Sequence, residues 1–309
     1  MAGVENERTF EVVGDESFPE PILGTIGYSE EQATVLVLGR SGSVYRIAAR
    51  GTPAVATFEQ TPLVINPNAD DLHCSANLSR VVTEDDAVSV YDVGTGELIL
   101  RVDDMNGAAF LSPDGQQLYL VEEDVTLCFA LDDPSTPPAR MTAFHMRKGT
   151  EFIYDTPSDA CLALNRDGAF ELVVGCWGYM VCRSTTRDVR PRINDVKKTA
   201  ADRWPSNPVF VGPSIPGGYV MANGVVVELP SLVMHEIPTE QRSVDAIAVG
   251  SEPGMFCLAG DDTTLIWDLE QDRREVLQRA LSPVYVDRNT LIHVTGDESP
   301  RIVTESFAW

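Results

Sequence analysis

The chain has 309 residues, 43% of them apolar, with 47 acidic against 23 basic side chains and a formal net charge of −24. That balance argues against nucleic acid or an anionic membrane surface as the partner, since both reward basic proteins. It favours a basic partner, although a simple compositional bias, with lysine confined to Lys148, Lys197 and Lys198, gives the same sign.

No apolar run reaches the roughly 18 residues of a membrane-crossing helix. Met1 to Arg8 is polar and acidic, without the basic and apolar regions of a secretory leader. The expectation is therefore an intracellular protein, cytoplasmic or nuclear. Cys74, Cys128, Cys161, Cys176, Cys182 and Cys257 mostly sit inside apolar strand patterns, form no CxxC pair and read as free thiols.

In chain order, the first strand signal is Thr9-Phe10-Glu11-Val12-Val13, which has no repeat of its own. Seven apolar strand cores follow: Ser43–Ile47, Ser89–Val93, Thr126–Ala130, Tyr179–Arg183, Val225–Leu229, Leu265–Leu269 and Arg301–Glu305. Aligned on Tyr45, Tyr91, Phe129, Cys182, Val227, Trp267 and Thr304, they step by 46, 38, 53, 45, 40 and 37 residues. Four short strands repeated at about 40–45 residues are the signature of a β-propeller. Each repeat has Gly, Asp or Pro punctuation between its strands, as in Ser112-Pro113-Asp114-Gly115 and Asn165-Arg166-Asp167-Gly168. Gly94-Thr95-Gly96 marks another tight turn, before Leu98-Ile99-Leu100.

The expected fold is all-β: a seven-bladed β-propeller of four-stranded antiparallel blades, one domain over residues 1–309. The last repeat supplies only three strands, at Val284–Val286, Thr290–Val294 and Arg301–Val303. An open ring leaves unpaired strand edges, so residues 9–13 are expected to close the seventh blade; a separate N-terminal arm is the alternative. Residues 184–208, with Arg190, Arg192, Lys197, Lys198 and Trp204, form the one basic stretch. They read as a long inter-blade loop, either a solvated connection or a docking loop.

At Trp267-Asp268, Tyr91-Asp92 and Ser112-Pro113-Asp114-Gly115 the chain resembles the WD40 and WD40-like propellers, though the Gly-His dipeptide of that family is absent. The resemblance implies a protein-interaction platform, in a family that is rarely catalytic, and the first reading is a scaffold without catalysis. On this reading the partner is a protein segment, basic or mixed in charge, held by a propeller that is monomeric within a hetero-complex. No cofactor is expected, and no direct contact with nucleic acid or membrane.

The residues for such binding come from one class of loop. Asp85 and Asp86 (beside Glu84), Glu122-Glu123-Asp124, Asp261-Asp262 and Asp297-Glu298 all fall between the second and third strands of their repeats. A closed propeller brings those loops to one face, where the inter-blade loops add Asp103-Asp104 and Glu240, and Arg40, Arg147, Lys148 and Arg242 oppose them. Such turns read either as solubilising or as a functional acidic face. Trp177, between Cys176 and Gly178 in the same loop class, reads either as a wedge between blades or as a partner anchor.

Catalytic patterns are sparse. His73, His145, His235 and His293 fall in different repeats and none pairs with another at metal-ligand spacing. Gly39-Arg40-Ser41-Gly42 reads as a turn and not as a phosphate cradle. Two alternatives to the scaffold stay open: an enzyme acting on a sugar or small substrate with channel carboxylates, and a structural subunit of a large particle.

Overall fold

The computed structural model describes residues 10–142 and 254–308, except 30–32, 52–53, 70, 76, 104–107, 113, 122–124, 261 and 296–297. Between those spans it describes 160–164, 170–175, 179–184, 209–211, 219–222, 225–228, 234–238 and 246–249.

The described strands form seven antiparallel sheets. β1 (Glu11–Ser17) precedes blade one, which is β2 (Ile22–Ser29), β3 (Thr34–Gly39), β4 (Ser43–Arg50) and β5 (Val55–Val64). Blade two is β6 (Asp71–Cys74), β7 (Arg80–Glu84), β8 (Ala87–Asp92) and β9 (Leu98–Asp103). Blade three is β10 (Ala108–Leu111), β11 (Gln117–Val121), β12 (Val125–Ala130) and β13 (Ala139–Thr142). Blade four shows β14 (Ala160–Leu164), β15 (Phe170–Gly175) and β16 (Tyr179–Ser184). Blade five is β17 (Val209–Val211), β18 (Tyr219–Ala222), β19 (Val225–Glu228) and β20 (Met234–Glu236). Blade six is β21 (Ala246–Val249), β22 (Met255–Ala259), β23 (Thr264–Asp268) and β24 (Arg273–Leu277). Blade seven is β25 (Ser282–Val286), β26 (Thr290–Thr295) and β27 (Arg301–Ser306).

Each repeated core found in the sequence is the third strand of its sheet. Only three strands of blade four lie among the described residues. Ser184, the expected start of the long loop, is instead the last residue of β16, where it pairs with Phe170.

The second and third strands of a blade are its most deeply buried. β3, β22 and β23 are buried at every position, because a blade is covered by a neighbour on both faces. The alternation survives as a choice of neighbour: Val35 and Val37 pack toward blade seven, Leu36 and Leu38 toward blade two. In blade two Val81 faces blade one, whereas Val82 and Val90 face blade three with Leu118 and Leu120. Met255 and Ile266 meet Val286 and Leu291 between blades six and seven. The core is thus a set of seams between consecutive sheets, which is how a propeller buries apolar area without a single centre.

Blade seven closes as expected, through β1 on β27. The closing strand differs in extent from the 9–13 read in the sequence: it runs through Gly14, Asp15, Glu16 and Ser17, and Thr9 lies outside the described residues. Gly14 does not end it. The ladder shifts register between Val12 and Gly14, and a side chain at Gly14 would press on Val55 and Thr304. Both ends are fastened by aromatics. Phe10 stacks on Phe307 with ring centres 5.2 Å apart, and Phe18 meets Tyr45 and Phe58 at 5.0 and 4.9 Å.

Candidate partner-binding face

The loops between second and third strands share one face, because every sheet is ordered alike from first strand to last. In blade two this is the turn from β7 to β8. Asp85 and Asp86 are exposed there, and the Asp85 carboxylate accepts the Ala87 N–H at 3.2 Å. Glu84 behaves differently. Its carboxylate accepts the Ala109 N–H of blade three at 3.1 Å and so serves the seam between blades.

Asp262 and Glu298 are exposed in the matching turns of blades six and seven. Asp103, at the end of β9, pairs with Arg101 at 2.7 Å. The hydrogen bond and charge of Asp103 hold the Arg101 guanidinium above its ordinary value, and the Asp85 carboxylate adds to the effect. Arg101 is therefore a cation within the field of the acidic turns. The sequence reading missed it because it lies on a strand and not in a loop.

Glu122, Glu123, Asp124, Asp261, Asp297, Asp104, Glu240, Arg147, Lys148, Arg242 and Trp177 lie outside the described residues. So do Arg190, Arg192, Lys197, Lys198 and Trp204.

Blade one carries an arrangement that the sequence reading dismissed. Arg40 is exposed in the turn from β3 to β4, and that turn holds the carboxylate of Glu20, from the connection between β1 and β2. Ser41 donates twice, from its N–H at 2.5 Å and its Oγ at 2.6 Å, and Tyr45 Oη donates at 2.7 Å. A Cβ at Gly39 would lie 2.5 Å from the carboxylate, so a side chain there would force Glu20 to shift. Burial pushes the Tyr45 phenol up to about 12, with the bond to Glu20 and its charge acting in the same direction. For Glu20, burial acts upward but the donors outweigh it and hold the carboxyl below its ordinary value. Gly39–Gly42 is thus an anion cradle filled by the chain itself.

The motif aspartates serve structure. Asp92 caps the turn after β8 by accepting the Thr95 N–H at 2.8 Å and pairs with Arg80. Asp268 accepts the Gln271 N–H at 2.9 Å. In the Ser-Pro-Asp-Gly turn, Gly115 has φ +68°, and Asp114 lends its carbonyl to the Asn77 amide of blade two at 2.7 Å. These contacts explain why the motif residues recur at blade ends without implying a ligand there.

Cys74, Cys128 and Cys257 are free thiols, each pushed up by burial. Among the described residues no group of three or more His, Cys, Asp or Glu side chains is placed to hold a metal ion. His293 is buried on β26, with Nε2 3.5 Å from Glu305 Oε1. Among the described residues no helix is long and apolar enough to cross a membrane.

Comparison with known proteins agrees on architecture. A solved structure similar to this chain is the β-propeller domain of Cps50 (Swd1) from Myceliophteria thermophila. The similarity covers 96% of this chain and 99% of that one, with a TM-score of 0.60 and 12% sequence identity. The fold is a β-propeller. No family pattern matches the sequence, and no curated protein matches it either.

Proposed function

We propose that this chain is a non-catalytic interaction propeller, a single domain that is monomeric within an intracellular hetero-complex. It binds a basic or mixed-charge protein segment across the face of the acidic turns. The observation that carries the reading is the exposure of Asp85, Asp86, Asp262 and Glu298 in the same class of turn in three blades, on a chain of net charge −24. Like charges held together on rigid turns repel, and a basic partner relieves that repulsion while gaining orientation from it. Glu122, Glu123, Asp124 and Asp261 extend the acidic set, Arg40 sets its edge, and Trp177 supplies an apolar anchor. Arg190, Arg192, Lys197, Lys198 and Trp204 form a second docking element on this reading. The free thiols at Cys74, Cys128 and Cys257 support a reducing compartment.

The test is a comparison of the tagged chain with a variant carrying Asn or Gln at Asp85, Asp86, Glu122, Glu123, Asp261, Asp262 and Glu298. Affinity purification with mass spectrometry identifies what each retains, and titration of the recovered partner at low and high salt measures the electrostatic share. The variant is expected to bind more weakly and with less salt dependence. Equal affinity and equal salt response in both proteins would reduce the acidic turns to solvated surface.

A further inference from the structure

The Glu20 cradle is built to hold an oxyanion, and its present occupant is attached only through a side chain. The backbone on either side is fixed independently of the carboxylate. Phe18 N–H donates to Pro300 O at 2.8 Å, and Arg40 N–H donates to Pro21 O at 3.0 Å. Glu20 can therefore leave by rotating its side chain, with no strand unpaired and no seam opened. What remains is the Ser41 N–H aimed at one carboxylate oxygen position and the Ser41 and Tyr45 hydroxyls aimed at the other, with Arg40 exposed on the same turn. Converging donors of this kind on a glycine-bounded turn select an anion with two or more oxygens.

We propose that the Gly39–Gly42 turn is a carboxylate-binding site, held in cis by Glu20 and entered by an aspartate or glutamate side chain of a bound protein. The exchange is carboxylate for carboxylate, so the hydrogen bonds lost and regained are alike and the swap costs little. Glu20 is tethered, and its high local concentration excludes free carboxylates. Entry therefore requires a partner already held elsewhere on this face, and the cradle contributes orientation more than affinity. Entry by a partner rests on the docking proposed for this face, whereas the anion selectivity of the cradle can be probed separately with small ions.

The experiment uses the full chain with Glu20→Ala and, separately, Glu20→Gln, each checked for folding by circular dichroism. Sodium acetate, and in parallel inorganic phosphate, is titrated while the Ser41 amide is followed by two-dimensional NMR. Acetate is expected to shift that amide saturably in both variants and not in the unaltered protein over the same range. Adding Ser41→Ala should weaken acetate binding about tenfold, the loss of one charge-assisted hydrogen bond. If Glu20→Ala does not fold, Glu20→Gln carries the test, because its neutral amide is a weaker acceptor than the carboxylate and yields the cradle to acetate more readily. Absence of a saturable shift in every folded variant overturns the proposal. An equal shift in the unaltered protein does so too, and a response to phosphate alone overturns the assignment to carboxylates.

Discussion

Arg288, in the first turn of blade seven, donates from Nε to the Oδ2 of Asp268 in blade six at 3.0 Å. Asp268 is the aspartate of the Trp-Asp pair and is 0% exposed, while Arg288 also reaches Glu270 at 3.1 Å. One side chain thus ties the end of a third strand to the following blade. Removing Arg288 takes a charge-assisted partner from a buried carboxylate and leaves it the turn N–H of Gln271 among the described residues. Arg288→Ala should cost about 2–4 kcal/mol, below the upper range for broken buried pairs because the guanidinium is partly solvated. Asp268→Asn, which keeps an acceptor for Gln271, should cost less. Denaturant unfolding of the two variants decides the order, and a larger loss in Asp268→Asn would contradict it.

Closure makes an equally sharp contrast within ten residues. Phe18 is 4% exposed and sits in the seam between blades seven and one, whereas Val12 on the closing strand is 56% exposed. Phe18→Ala should cost about 3–5 kcal/mol, as deletions of large core side chains do. Val12→Ala should stay within about 0.5 kcal/mol. Deleting residues 1–14 removes the Phe10–Phe307 contact and half the β1–β27 ladder, and a substantial fall in melting temperature is expected. A truncated chain that melts like the full one would show that the ring does not depend on this strand.

Glu305 on β27 supplies a pH prediction. Burial alone would raise its carboxyl, but bonding to His293 and Arg279, with their charges, outweighs it and holds the group at about 2. A carboxyl depressed by folding stabilises the protein above its ordinary value, and that contribution is lost as pH falls through the folded one. The loss belongs to the window from the ordinary carboxylate range down to about 2. Glu305→Gln should lower stability at neutral pH and flatten the acid limb of the stability curve. Parallel acid titrations of unfolding free energy check it; identical slopes would remove Glu305 from the account.

The strand cores were legible because blades covered on both faces need runs such as Leu265–Trp267, which stand out without any partner being known. The full closing strand was not. Gly14 looks like punctuation, and only its closeness to Val55 and Thr304 shows that the ladder continues past it. Contacts between segments were hidden for a similar reason. Glu20 and Ser41 lie 21 residues apart, and Arg279 and Glu305 lie 26 apart. Nothing in either member names the other until strand pairing sets the geometry. The acidic turns could be read as one face because that needs topology alone, whereas Arg101, two residues before Asp103 on the same strand, escaped a search confined to loops.

Trp177 is the point at which the binding reading is most exposed. It lies outside the described residues, in the connection from β15 to β16, the class of turn that also carries Asp85 and Asp262. As an anchor it should lose at least about 2 kcal/mol of partner affinity on Trp177→Ala while melting stays unchanged, since hot-spot tryptophans act through area buried against the partner. As a wedge between blades it should instead lose about 3–5 kcal/mol of folding free energy. Melting and partner titration on the same variant separate the two. A protein that is destabilised yet binds normally once folded would take Trp177 out of the site and leave recognition to the acidic turns. An unchanged melting temperature with weakened binding would place an aromatic anchor among those carboxylates, and a partner segment would then need an apolar side chain next to its basic ones.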